Sequence, residues 1–185
     1  MTPMFRTAQD PISSETHALG AVLSLLGGFL FILRALTARA SLLALAGAAV
    51  FAFSLIALYA ASAVYHYYPG DVTSGGVKRL LRKMDHSMIY VLIAGSYTPF
   101  ALQFLPRAEG VRFTAILWGI ALLGILLKLV WISAPRALTS AVYLAMGWSI
   151  VFVLRDFASC GPACLTLVAL GGVSYSAGAV IYALK

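Results

Sequence analysis

The sequence predicts an all-α, polytopic transmembrane helical bundle, and three observations predict it. The 185 residues are 62% hydrophobic and only 10% charged, with a mean hydropathy of +0.94. Soluble domains run at about 45–50% apolar and about 25% charged residues, so this apolar surface cannot all be hidden in one water-facing core. Six apolar runs approach or exceed the ~20 residues of a bilayer crossing. The linkers between them are short, which leaves one domain over 1–185 and no separate soluble unit.

The expected helices are 18–36, 42–65, 86–104, 111–132, 137–154 and 165–184. The fifth is the shortest, and the first is among the next shortest. Lys128 falls near the end of the fourth, where a lysine can snorkel to the headgroups. Pro99 falls inside the third and removes a backbone hydrogen bond, so a kink that shapes the bundle is expected there. Small residues recur at helical spacing, Gly20, Ser24 and Gly28 in the first run and Ser174 and Gly178 in the sixth, as stripes for close helix packing.

Charge sets the orientation. With six spans, one side carries Arg6, Lys78, Arg79, Arg82, Lys83, Lys128, Arg136 and Lys185, and the other carries Arg34, Arg39, Arg107, Arg112 and Arg155. The positive-inside rule then places the N-terminus in the cytoplasm. Met1 to Thr16 is polar and mixed in charge, unlike a cleavable signal peptide, so the first run is expected to be retained. The net charge of +7 is read as topology and headgroup contact. No aromatic-basic nucleic-acid motif is present, and the expected partners are membrane lipids, with oligomeric state open.

Cys160 and Cys164 are the only cysteines. Two thiols cannot close a structural zinc site, and they read as loop residues or as a short-range disulfide.

The polar residues at the helix ends need a reason, because ionisable groups at membrane depth are costly. His17, His66 and His86 all fall on the cytoplasmic side, with Asp85 beside His86. Ser62 and His66 are spaced i, i+4 and share a helix face, where a hydroxyl can orient an imidazole. Asp85 and His86 point about 100° apart on a helix, so one is expected to face the bundle and the other the interface. Plain structural roles compete with chemistry. A histidine here can contact headgroups, and an aspartate at a helix start can cap it. The combination of Ser62, His66 and Asp85 leaves a metal or proton-handling site equally open.

Several stretches together resemble the hemolysin III family of the progestin and adipoQ receptor superfamily. They are SAVYH (62–66), KRLLRKMDHSMIYVLIAGSYTPF (78–100), ALLGILLKL (121–129), YLAMGWSIV (143–151) and GGVSYSAGAVIYALK (171–185). The resemblance implies a seven-helix bundle with a cytoplasmic N-terminus. It also implies a zinc ion near the cytoplasmic face, like that of ceramidases. Carried over, His66 of the SxxxH motif is a zinc ligand. Asp85 orients the metal-bound water, Ser62 supports the site, and His86 receives no ligand role. The family's remaining ligands come from an HxxxH motif in a seventh helix, and no HxxxH occurs in these residues. The family's acidic motif before the first helix is also altered here, to Asp10-Pro11-Ile12-Ser13 followed by His17. The chain thus reads as six helices of a seven-helix fold, a fragment or truncated product.

Two functions stay open on this basis. One is a zinc-dependent hydrolase of membrane lipid amides, with Zn2+ held in a full-length form. The other is a non-enzymatic membrane-homeostasis or cytolytic, pore-forming protein. Either is expected in a bacterial inner (plasma) membrane.

Overall fold

The computed structural model describes residues 7–73 and 75–184, and these are helical apart from short connections, with no strand among them. Arg6 and Lys185, two of the charges behind the expected orientation, lie outside the described residues. The helices are α1 (Pro11–Thr37), α2 (Leu42–Tyr67), α3 (Gly76–Phe104), α4 (Arg107–Val130), α5 (Arg136–Cys160) and α6 (Pro162–Leu184). All but α3 are long and apolar enough to cross a membrane. Leu23, Phe29, Leu123 and Phe152 are exposed along their outer faces, as expected where lipid replaces water. The chain therefore forms a polytopic helical bundle.

Two helices begin seven or more residues before the apolar runs. Proline at N1 starts α1 at Pro11, where its missing N–H costs nothing. Gly75 and Gly76, with φ of +82° and +71°, turn the chain into α3 ahead of the basic segment. Lys78–Lys83 thus form helix, and Asp85 lies inside a continuous helix rather than at its start. That removes the capping role for Asp85.

α3 is the least apolar of the long helices because it is the central one. It packs against α2, α4 and α5 and faces little lipid. Tyr90, Ile93 and Ala94 of α3 form the core with Leu117 and Ala121 of α4 and Tyr143 and Met146 of α5. Pro99 is accommodated within α3, and its Cα would lie 2.9 Å from a Cβ at Gly47. At Gly95, a Cβ would lie 2.1 Å from Ser54 Oγ. The α2–α3 seam is therefore a close-approach contact built on glycine.

The small residues of α1 do the same work against α2. Ser24 and Gly28 are buried, with Gly28 against Ala52 and Gly20 against Tyr59. In α6 the expected stripe is not the packing face. Ser174 and Gly178 are exposed, while Tyr175 packs on Gly147 and Ser176 accepts a hydrogen bond from Trp148 Nε1 at 3.0 Å.

α5 is interrupted after Gly147 by a 3-10 stretch, Trp148–Val153. Tyr97 of α3 satisfies the break. Its hydroxyl donates to Gly147 O and accepts from the Ile150 N–H at 3.3 Å. Irregular backbone at membrane depth is tolerated where protein supplies such partners. Cys160 and Cys164 are free thiols, Cys164 lying within α6.

Lys128 does not snorkel. It is 2% exposed and donates to Thr139 Oγ1 of α5 at 2.9 Å.

Candidate functional site

The start of α1 and the end of α2 are tied together by backbone and side chain. Gln9 N donates to Tyr67 O at 3.3 Å, and Asp10 N donates to His66 O at 3.1 Å. Ser14, fully buried, donates from its hydroxyl to Ala63 O at 3.1 Å. This clamp brings the Asp10 carboxylate to the imidazole of His66, Oδ2 to Nδ1 at 3.0 Å. The His17 ring stacks on His66, with centroids 5.6 Å apart and planes within 5° of parallel. Tyr59 and Tyr65 flank the two imidazoles, with centroids 5.8 Å from His17 and 4.9 Å from His66 respectively.

Lys78 holds the α2–α3 connection against this cluster. Its ammonium donates to Tyr65 O at 2.5 Å and Tyr68 O at 2.6 Å, and it lies 4.3 Å from the Tyr65 ring centroid. A cation on the last carbonyls of a helix satisfies groups that have no partner within the helix. Lys78 lies ahead of the apolar part of α3. Burial pushes its pKa below the ordinary lysine value, and the Asp10 and Asp85 carboxylates oppose that shift. An open cavity of about 390 Å³ adjoins the cluster, lined by Asp10, Tyr65, His66, Asp71 and Lys78 among others. Side-chain and backbone hydrogen bonds from Thr73 hold the Asp71 carboxyl below the usual carboxylate range.

The residues singled out from sequence all lie at this end of the bundle, in different relations. His66 is in direct contact with Asp10 and His17. Ser62 is buried one turn before His66, while the close polar contact of the His66 ring is with the Asp10 carboxylate. Asp85 stands within electrostatic reach of His17, Tyr65 and Lys78. His86 points away from this cluster. Its ring lies 6.5 Å from that of Tyr182 of α6, and Tyr143 of α5 donates to its backbone oxygen at 3.0 Å. Both Asp85 and His86 thus face other helices, on different sides of α3, and neither is set aside for the interface.

The donor chemistry fits a metal only in part. An imidazole set against a carboxylate on its Nδ1 side is oriented with Nε2 turned away from that contact, which is the usual arrangement of a metal-binding histidine. His17 Nδ1 is buried without a hydrogen-bond partner among the described residues. Yet no three His, Cys, Asp or Glu side chains among the described residues are grouped to hold a metal ion. A catalytic zinc takes three protein ligands and an open position, so these side chains do not by themselves make that site. What they do make is an oriented imidazole, a second imidazole against it, and two carboxylates able to exchange or position protons.

Sequence reasoning left Asp10 and His17 without assigned roles. Their spacing, i to i+7, was the available signal, since it puts both on one face of a helix that begins near Asp10.

Comparison with known proteins agrees with this architecture. The profile of a family described as haemolysin-III related matches residues 5–185. The hemolysin-3 homolog of Bacillus subtilis is 33% identical over 183 residues, covering 98% of this chain and 84% of that protein. Hemolysin-3 of Bacillus cereus is 30% identical over 184 residues, covering 98% of this chain and 82% of that protein. No solved structure matches the chain. A match across nearly the whole length, on an all-helical bundle with lipid-facing helices, places the chain in the haemolysin III-related family of integral membrane proteins.

Proposed function

We propose that this protein is a hydrolase of membrane lipid amides whose site is the Asp10–His66–His17 cluster with Asp85. The observation that carries the reading is the 3.0 Å contact between Asp10 and His66, because it fixes one imidazole with its second nitrogen free for chemistry. We place this end of the bundle at the cytoplasmic face of a bacterial inner membrane. Lys78, Arg79, Arg82, Lys83, Lys128 and Arg136 crowd it, as the positive-inside rule expects.

Zinc is the expected metal. When bound it would supply a Lewis acid and a water of lowered pKa. Among the described residues His66 is the one prepared to hold it. The chain's own contribution follows from position. Asp10, against the Nδ1 side of the ring, orients the His66 imidazole. Asp85, on the facing helix, is the carboxylate available to take a proton from a nucleophilic water. Ser62, buried beneath His66, shapes the floor of the site.

The test is release of fatty acid from a lipid amide in vesicles holding the purified full chain, before and after chelation. The reading expects activity that falls on chelation and in Asp85→Asn. Full activity in Asp85→Asn sinks it.

A second reading is a cytolytic membrane protein, favoured by the name hemolysin carried by both relatives. Dye leakage from protein-bearing vesicles, independent of His66, would favour it over the hydrolase.

A further inference from the structure

The seam between α4 and α5 holds features that the His66 cluster does not use. Lys128 is a buried cation with no carboxylate partner among the described residues. Its contact is the hydroxyl of Thr139, which itself donates to Pro135 O at 3.2 Å. One ammonium carries three donors, so most of its hydrogen-bonding capacity is unspent. Ser140, next along α5, is 2% exposed, and its hydroxyl has no partner among the described residues.

Other cations converge on the same place. Lys128, Arg82 and Arg136 all act electrostatically on the imidazole of His86, and Asp85 is the one carboxylate acting on it. Arg136 lies 6.0 Å from the Tyr182 ring centroid. Lys83 donates to Leu129 O and so fastens α3 to the end of α4. A charge needed only for topology would sit at the surface with its head in water. Lys128 does not.

Deeper in the bundle, the same two helices part to leave an apolar groove of about 380 Å³. Ile116, Leu117 and Ile120 line it from α4, and Val142, Ala145 and Met146 from α5. Leu117, Gly124 and Lys128 lie on one stripe of α4, so the groove and the cation share a face. Eight residues separate Ile120 from Lys128, about 12 Å at helical rise. That is the length of a glycerol backbone and the first several methylenes of an acyl chain.

We infer that the α4–α5 seam binds an anionic phospholipid, its phosphate held by Arg136 and Arg82 over the buried Lys128 and one acyl chain lying in the groove. Charge complementarity selects the headgroup, and the groove selects a lipid over a free anion. Basic pockets between transmembrane helices are the usual way in which anionic headgroups are recognised.

The test uses the full chain purified in a neutral detergent. Phosphatidylglycerol, phosphatidylcholine and inorganic phosphate are added separately, and retained lipid is read by native mass spectrometry alongside the melting temperature. The expected result is retention and thermal stabilisation with phosphatidylglycerol alone. Retention falls about fivefold in Arg136→Gln. It also falls in Ala145→Trp, which fills the groove and leaves every charge in place. Both variants alter exposed side chains and keep the helical circular dichroism, so loss of binding is separable from loss of fold. Equal retention of phosphatidylcholine overturns the inference. So does stabilisation by inorganic phosphate equal to that by phosphatidylglycerol, which would make the seam a free-anion site. Unchanged retention in Ala145→Trp overturns the seat of the acyl chain.

Discussion

Asp10 Oδ2 lies 3.0 Å from His66 Nδ1, and the backbone N–H of the same aspartate bonds to the backbone oxygen of the same histidine at 3.1 Å. The pair fixes the start of one membrane helix to the end of the next and holds the imidazole ring beside the carboxylate. Asp10→Asn removes the charge while keeping an oxygen acceptor. With Asp10 half exposed, the expected loss is modest, about 0.5–1 kcal/mol. The more specific effect is on the ring. Nitrogen NMR of the His66 imidazole should show the Nδ1–H form dominant in the parent and mixed tautomers in the variant. Identical tautomer populations would remove the orienting role.

The contact between Gly95 and Ser54 gives a packing prediction. A methyl group at residue 95 meets Ser54 Oγ at 2.1 Å and Ser54 Cβ at 2.7 Å, so either the helices separate or the serine is displaced. Gly95→Ala should lower stability in detergent by about 1–3 kcal/mol. Gly119 has nothing within 4 Å of the added Cβ, and Gly119→Ala should leave the melting temperature unchanged or slightly raised.

Lys78 is one of the basic residues from which an orientation is expected, yet it is 6% exposed and caps two carbonyls at the end of α2. Lys78→Met keeps the length and apolar stem but removes the donors. The Tyr65 and Tyr68 carbonyls then lose their charged partner, at a cost of about 1–3 kcal/mol. Limited proteolysis of the α2–α3 connection should be faster in this variant. Arg79→Met, one residue on and exposed, should leave that rate unchanged.

Tyr97→Phe isolates the break in α5. The hydroxyl serves both Gly147 O and Ile150 N, and no other side chain described here bonds to either group. Its removal should cost about 1–3 kcal/mol and speed hydrogen exchange at the Ile150 amide more than at Tyr143 in the regular helix. Equal exchange at both positions would show that the break is held by other means.

The number of helices was legible because a bilayer imposes a length on every crossing, and the apolar runs obey it. The start of α3 was not, because Val77, Leu80, Leu81 and Met84 recur at helical spacing among basic residues and do not form the long apolar run that marks a crossing. The modest hydropathy of α3 is itself informative, since a helix surrounded by other helices can carry Ser87, Tyr90 and Thr98 that lipid would not accept. Spacing and resemblance single out His66, Ser62 and Asp85, and the structure places the three at one end of the bundle. Asp10 was passed over because its neighbours depart from the family pattern, and its role depends on a clamp between helices that spacing alone does not show. Lys78 and Lys128 were read as topology charges because a sequence counts charges and does not report burial. The α5 break has Gly147 as its local signal, with no proline beside it, and its partner, Tyr97, lies fifty residues away from Gly147.

The central claim is that His66, held by Asp10, anchors a metal-dependent site. The most direct measurement is the zinc content of the purified full chain by elemental analysis, set beside His66→Ala and beside Arg112→Ala as a control at the far end of the bundle. The account predicts zinc bound at less than one per chain in the parent and the control, since no three ligands are grouped among the described residues, and its loss in His66→Ala. Zinc absent from the parent, or retained undiminished in His66→Ala, would contradict it.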